Sequence, residues 1–172
     1  MKNLFNKKSG LAQSQPKGFT LIELLVVIGI LAILLSIVLI AINPARQFAQ
    51  ANNTKRRSDT TAILNAISQY AADHKGALPP SLAAVANDTT AAISDTNGAL
   101  TAHADLCTDV VTTIQYIPAL PSDPKAANNG AQITVCSGYA TGYTVAHDAN
   151  NRVTVTAPLT EVPETTPITV TR

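Results

Sequence analysis

The feature that most constrains this chain is a run from Leu24 to Ile42 that contains no charged residue. As an α-helix at about 1.5 Å per residue, the run reaches about 28 Å, close to the hydrocarbon thickness of a bilayer. It therefore predicts one membrane-spanning helix. A secretory signal peptide would place a small-residue cleavage site after its apolar core. No Ala-x-Ala sequence stands between Ile40 and Phe48, so we expect the helix to be retained.

Charge is distributed unevenly around this run. Residues 1–18 contain four lysines and no acidic residue, which predicts a cytoplasmic leader peptide. After Ser58, ten acidic residues accompany only four basic ones. A nucleic-acid-binding domain has a basic patch instead, so we expect no nucleic-acid partner. The basic cluster Lys55–Arg57 has no interleaved aromatic residue and is predicted to be a solvated helix face or a contact with lipid headgroups.

The apolar pattern continues past the membrane span. Residues 43–75 are predicted to form an amphipathic continuation of the helix, and Lys75-Gly76 is predicted to cap it. Pro44 removes one backbone hydrogen bond, so we expect a kink there in a helix that runs from Phe19 to His74. One apolar stripe at helical spacing comprises Ala62, Ile63, Ala66, Ile67, Tyr70 and Ala71.

The remaining chain predicts a small sheet after a long connection. Residues 76–131 are expected to be a connecting region with a short helix around Ser81–Val85, and residues 159–172 an extended or mobile tail rich in proline and threonine. Residues 132–158 predict an antiparallel sheet with a turn at Asp148–Asn151. Its three predicted strands are Gln132–Cys136, Gly142–His147 and Arg152–Ala157.

Together these elements predict an α+β fold. A long N-terminal helix spans the membrane with its first part, residues 19–42, and packs its second part on the small antiparallel sheet. We expect the apolar stripe around Ile63, Ile67 and Tyr70 to be the surface that the sheet covers.

Two cysteines, Cys107 and Cys136, lie in the region predicted outside the membrane. An even number of cysteines in an exported domain favours a disulfide over a metal site or a catalytic thiol. The alternative is a pair of unpaired, buried thiols.

Other patterns give no catalytic or metal site. His74, His103 and His147 are scattered without zinc-ligand spacing and are expected on the surface. Asp148 begins a sequence like a calcium loop, but Arg152 stands where an oxygen ligand is needed and the glycine is absent. The chain contains no phosphate-binding glycine loop and no nucleophile elbow. We therefore expect no enzyme activity, no cofactor and no metal.

The segment most informative about function is Lys17-Gly18-Phe19-Thr20-Leu21-Ile22-Glu23-Leu24-Leu25-Val26-Val27-Ile28. It closely resembles the cleavage and methylation site of type IV prepilins and of the pseudopilins of type II secretion. The resemblance implies a pilin fold, cleavage after Gly18 by a membrane aspartyl peptidase, and N-methylation of Phe19 by the same enzyme. Weaker similarity to these families extends to Asn43–Gln47, Lys55–Asp59 and Leu120–Pro124.

Glu23 is the carboxylate five residues into the implied mature chain. An acidic residue at the edge of a membrane span is costly unless it is paired. In a filament whose helices pack side by side, an axial offset would bring Glu23 near the Phe19 amine of a neighbouring copy. Because desolvation offsets much of the attraction, such a pair would determine register more than strength.

The resemblance also implies partners and locations. The implied partners are other copies of the chain, the prepilin peptidase and methyltransferase, the pilus or type II secretion assembly machinery, and membrane lipid. The protein would first lie in the cytoplasmic membrane, with its leader inside and its C-terminal domain outside. It would then join a periplasmic or cell-surface filament.

Alternatives stay open at this point. The filament could be a type IV pilus or a secretion pseudopilus, and the subunit major or minor. A different class of protein is a membrane-anchored binding protein that uses its threonine-rich domain to contact a ligand and never polymerises. A plain single-pass anchor does not explain the combination of Gly18, Phe19 and Glu23 behind a basic leader.

Overall fold

A computed structural model of the protein describes residues 18–95, 102–113 and 115–172. The chain divides into two compact units, Met1–Asn43 and Pro44–Arg172, which we call the first unit and the distal unit. The predicted leader up to Lys17 lies outside the described residues and stays a prediction.

The first unit contains α1, a helix of 21 residues from Leu21 to Ala41. Thr20 caps its N-terminus, and leucine and alanine within it are strong helix formers. No residue of α1 is buried within the chain. A helix that is apolar on all sides requires a cover from outside the chain.

The helix predicted from Phe19 to His74 is divided in two. Helix α2 runs from Pro44 to Asp73, and Ile42 and Asn43 separate it from α1. Asn43 has a φ of +27°, since the residue before a proline is disfavoured in the α conformation. Pro44 is tolerated as the first residue of α2, where a backbone N–H would have no helical partner. The predicted kink at Pro44 stays a prediction.

The end of α2 follows the predicted chemistry. Lys75 and Gly76 have φ values of +57° and +88°, and the Gly76 N–H donates to the carbonyl of Ala71 at 2.7 Å. This left-handed ending is a common C-terminal cap and confirms the predicted one. The short helix expected around Ser81–Val85 is α3, Pro80–Ala83.

The distal unit contains one five-stranded sheet. Its strands are β1 (Ala91–Ser94), β2 (His103–Ala104), β3 (Ala140–His147), β4 (Val153–Ala157) and β5 (Ile168–Thr171). The spatial order is β2-β1-β3-β4-β5. Strands β1 and β2 are parallel, and the other neighbours are antiparallel. A π-helical stretch, Thr108–Thr113, follows β2.

The sheet differs from the three predicted strands. Strands β3 and β4 confirm two of them, but Gln132–Cys136 is not a strand and makes one isolated bridge, Leu120 with Ile133. The connecting region contributes β1 and β2, and the tail contributes β5. Pairing between segments distant in sequence therefore outweighs the local strand signal of Gln132–Cys136.

The core of the distal unit lies between α2 and the sheet. Helix α2 packs against β4 and β5, and Ile63 and Ile67 are each only 1% exposed. Alternate residues of β3 and β4 point inward, with Val145 opposite Val155. Burying each such side chain contributes about 1.5–3 kcal/mol. The predicted contact between the helical stripe and the sheet is confirmed.

Candidate processing and assembly site

Gly18 and Phe19 lie just before the first turn of α1. Gly18, Phe19 and Thr20 are non-helical, and Thr20 is extended, with φ −81° and ψ 152°. The Phe19 side chain is 87% exposed. A Cβ added at Gly18 would meet no atom within 4 Å. The peptide bond between Gly18 and Phe19 is therefore accessible, and nothing in the described chain requires glycine at position 18.

Thr20 and Glu23 form a reciprocal cap on α1. The Thr20 N–H and hydroxyl each donate to Glu23 Oε2 at 2.8 Å. The Glu23 N–H donates back to Thr20 Oγ1 at 3.2 Å. This capping box satisfies donors that the first helical turn leaves unpaired. It also gives the Glu23 carboxylate a partner within its own chain.

Helix α1 is long enough and apolar enough to cross a membrane. Its mean hydropathy reaches 3.3 over the best window, and Glu23 is the one charged residue among Leu21–Ala41. Ser36, a polar residue further along, donates its hydroxyl to the Ala32 carbonyl at 2.8 Å. Both polar side chains are therefore hydrogen-bonded within the helix and its cap.

One known family motif covers this site. The profile of the prokaryotic N-terminal methylation motif matches residues 14–39. The chain carries the prepilin-type motif of type IV pilins and pseudopilins. This confirms the family resemblance of Lys17–Ile28. Searches of curated proteins and of solved structures found no match to the chain.

The prepilin-type motif stands on the fold that the sequence predicts for it. An apolar N-terminal helix, a second helix to Asp73 and a five-stranded, mostly antiparallel sheet make an α+β pilin-like fold. The predicted fold class is therefore confirmed, with two more strands than expected.

Within the distal unit, Arg56 of α2 is fully buried. Its Nε and Nη2 donate to the two carboxylate oxygens of Asp123 at 2.6 and 3.0 Å. Its Nη1 donates to Asn53 Oδ1 at 2.9 Å and to Glu161 Oε1 at 3.0 Å. The prediction that Lys55–Arg57 is a solvated face or headgroup contact is therefore wrong for Arg56.

The groups around Arg56 are matched in charge. Burial disfavours the charged guanidinium, but its hydrogen bonds to Asp123 and Glu161 outweigh that effect and raise the pKa of Arg56. Burial likewise disfavours the charged form of Glu161, yet hydrogen bonds from Lys125, Asn52 and Arg56 lower its pKa to about 2. We call Asn52, Asn53, Arg56, Asp123, Lys125 and Glu161 the Arg56 cluster.

A second polar contact joins α2 to the sheet. Asp59 accepts a hydrogen bond from the Tyr143 hydroxyl at 2.7 Å and pairs with Lys55 Nζ at 2.6 Å. Burial raises the pKa of Tyr143, and the hydrogen bond to Asp59 adds to the shift. Tyr143 is therefore a neutral donor at physiological pH. In contrast to Arg56, Lys55 and Arg57 are partly exposed.

Cys107 and Cys136 form the predicted disulfide. Cys107 is fully buried and immediately precedes the π-helical stretch, whereas Cys136 lies in the loop before β3. The Cys107 N–H donates to the Tyr139 hydroxyl at 3.1 Å. The alternative of two unpaired thiols is thereby excluded.

The histidines occupy different environments. His74 and His103 are exposed, as predicted. His147 is buried, and its Nε2 lies 2.8 Å from the Val85 carbonyl oxygen. The prediction of a surface position is wrong for His147 because it occupies an inward position at the end of β3.

The turn after β3 has the predicted form. Asp148 Oδ1 accepts hydrogen bonds from the N–H groups of Arg152 and Asn150, both at 2.8 Å. The bond from Arg152 contributes most to lowering the pKa of Asp148. Among the described residues, no group of three or more His, Cys, Asp or Glu side chains could hold a metal ion.

A sequence signal for the Arg56 cluster existed but points against residue type. Arg56 lies seven residues before Ile63, two helical turns away on the same face of α2. Extending the apolar stripe towards the N-terminus therefore places Arg56 inward. Its carboxylate partner, Asp123, lies in Leu120–Pro124, one of the segments similar to pilin-like chains.

Proposed function

We propose that the protein is a structural subunit of a helical filament, either a type IV pilus or a type II secretion pseudopilus. It is made as a prepilin, cleaved after Gly18 and N-methylated at Phe19. The observation that carries the proposal is the prepilin-type motif at residues 14–39, which coincides with an accessible Gly18–Phe19 bond beside a capped apolar helix. A motif of this kind indicates a structural subunit rather than an enzyme.

The local backbone supports cleavage at this bond. The chain stays non-helical through Thr20, so the scissile bond is outside the hydrogen-bonded turns of α1. The empty space at Gly18 indicates that the peptidase, and not the fold, accounts for glycine at this position.

The exposure of α1 supports storage in a membrane followed by assembly. A fully exposed helix with this apolar surface is unfavourable in water. Lipid would cover α1 in the single subunit, and the α1 helices of other copies would cover it in the filament. The disulfide of the distal unit supports a position of that unit outside the cytoplasm.

Glu23 would align neighbouring copies. Thr20 occupies Oε2 of Glu23, and Oε1 accepts no hydrogen bond from any other described residue. Cleavage after Gly18 creates an amine at Phe19, which in a neighbouring copy could donate to Oε1. The capping box would thus reduce the cost of the carboxylate in the membrane and leave one oxygen for the partner.

The test measures incorporation into filaments in a deletion strain that expresses the wild type, Glu23→Ala or Glu23→Gln. Glutamine can retain the capping box but removes the charge. We expect both variants to be processed and to reach normal membrane levels, yet to be strongly depleted from filaments. Normal incorporation of Glu23→Ala would disprove the pairing role. A wild-type chain that never enters any filament would favour the membrane-anchored binding protein instead.

The same deletion strain distinguishes the two filament types. Loss of surface fibres is expected for a pilin, and a secretion defect without such a loss is expected for a pseudopilin. Unchanged fibres together with unchanged secretion would count against both.

A further inference from the structure

The disulfide and the buried charge pair of the distal unit involve the same stretch of chain. The bond between Cys107 and Cys136 has a sequence separation of 29 residues. The enclosed stretch includes Asp123, whose two oxygens bind the Arg56 guanidinium at 2.6 and 3.0 Å. The cross-link thus limits how far Asp123 can move from Arg56.

Few other contacts hold this stretch, of which we consider residues 115–135. Its one β-bridge joins Leu120 and Ile133, with N–H···O distances of 2.9 and 2.8 Å. The Asp123 N–H donates to the Thr141 carbonyl at 2.8 Å, and Lys55 Nζ lies 3.1 Å from the Ser122 carbonyl. No strand of the sheet lies within residues 115–135. The cross-link should therefore account for a large share of their stability.

We propose that the distal unit has two redox-dependent states, in which the Cys107–Cys136 disulfide controls whether the Arg56 cluster is complete. In the oxidised state, residues 115–135 are closed and Asp123 neutralises Arg56. In the reduced state, residues 115–135 open, Asp123 leaves, and the guanidinium keeps only Asn53 and Glu161 as partners. Because an incompletely paired buried charge is unfavourable, water enters the cluster. This inference does not depend on filament assembly.

The redox step is a thiol–disulfide exchange with a disulfide donor outside the cytoplasm. The thiols of Cys107 and Cys136 lose two protons and two electrons and form one S–S bond. The S–S bond of the donor breaks and takes up the same protons and electrons as two thiols. A subunit with reduced cysteines would therefore keep an open Arg56 cluster until it meets the donor.

The test compares the full chain in detergent micelles, oxidised and after reduction with a phosphine. Hydrogen exchange at the amides of Leu120, Asp123 and Ile133 is measured by mass spectrometry. For a loop of this length, chain-entropy arithmetic gives an upper limit of roughly 400-fold faster opening; we expect at least about tenfold. Amides between β3 and β4 should keep their protection.

A second readout is labelling by an arginine-selective dicarbonyl reagent. Reduction should make Arg56 reactive, whereas the neighbouring Arg57, whose side chain is already 52% exposed, is the matched control and should change little. The Cys107→Ser/Cys136→Ser variant should behave as the reduced protein does. Asp123→Asn, with the disulfide intact, should increase labelling of Arg56 without accelerating exchange at Leu120.

Three results would overturn the proposal. The first is exchange within residues 115–135 that reduction leaves unchanged. The second is equal acceleration in β3 and β4, which would make the disulfide a global stabiliser. The third is an Arg56 that stays unreactive while residues 115–135 open.

Discussion

Replacing Asp123 with asparagine tests whether the Arg56 pair stabilises the distal unit. The substitution keeps the shape of the side chain but removes the negative charge that Nε and Nη2 of Arg56 contact at 2.6 and 3.0 Å. Both side chains of this pair are 0% exposed. Asp123→Asn therefore leaves a buried guanidinium with one carboxylate partner instead of two.

The expected loss follows from the burial. Removing one partner of a buried ion pair costs about 3–5 kcal/mol, because the remaining charge is desolvated without compensation. Glu161, at 3.0 Å from Nη1, still neutralises part of the charge, so we expect the lower end, about 3 kcal/mol. That is a large fraction of the roughly 5–15 kcal/mol by which typical domains are stable.

The assay is urea unfolding of the full chain in detergent micelles, followed by tyrosine fluorescence. The chain has four tyrosines and no tryptophan, and all four tyrosines lie in the distal unit. The signal therefore reports that unit and not α1. The midpoint should fall while the slope of free energy against urea stays unchanged, which identifies a change in stability alone.

The matched control is Glu164→Gln, which breaks the pair with Arg57. That pair is partly exposed, with side-chain exposures of 52% and 33%. Pairs of this kind contribute at most about 1 kcal/mol. If Asp123→Asn costs no more than Glu164→Gln, the reasoning from burial is refuted.

Three further predictions follow from individual contacts. The lowered pKa of Glu161, about 2 in the folded protein, means that its ionised form stabilises the fold above the unfolded pKa of about 4.3. This stabilisation is lost as the pH falls towards 2, so urea midpoints should drop below about pH 5, and less so in Glu161→Gln. Gly142 has a φ of +79°, and an added Cβ would lie 2.9 Å from two other Cβ atoms, whereas Gly138 has a φ of +68° and open space. Gly138→Ala should cost about 1–2 kcal/mol from backbone strain and Gly142→Ala at least about 1 kcal/mol more in the same urea assay, and equal costs would contradict the packing. Thr20→Ala should speed hydrogen exchange at the Glu23 amide by about fivefold through loss of the cap, whereas Glu23→Gln should leave it nearly unchanged.

The elements with strong local signals are those that the sequence predicts well. The apolar run of α1 is recognisable because a membrane span needs only length and the absence of charge. The stripe of Ile63 and Ile67 indicates an inward helix face by spacing alone. The alternating residues of β3 and β4, with the turn at Asp148, predict a hairpin from contiguous sequence.

The errors share a physical cause, which is partnership between distant segments. Strand β1 depends on β3 and β2 depends on β1, so neither has a strong signal of its own. Strand β5 follows prolines that predict an extended tail, yet its backbone pairs with β4. Gln132–Cys136 has strand-like residues but no strand of the sheet beside it.

The Arg56 cluster shows the same limit for a site. Lysine and arginine are almost never fully buried unless they are paired, so three consecutive basic residues predict a solvated face. The partners of Arg56 lie 67 and 105 residues away. Spacing along α2 can indicate that position 56 faces inward, but only the fold shows which carboxylates neutralise it.

The central claim is that the chain is a prepilin processed between Gly18 and Phe19. Intact mass and N-terminal analysis of the protein purified from its native host test it most directly. The account predicts a mature chain that begins at N-methylated Phe19 and lacks residues 1–18. A chain that retains Met1 to Gly18 would contradict it and would reduce α1 to a simple membrane anchor.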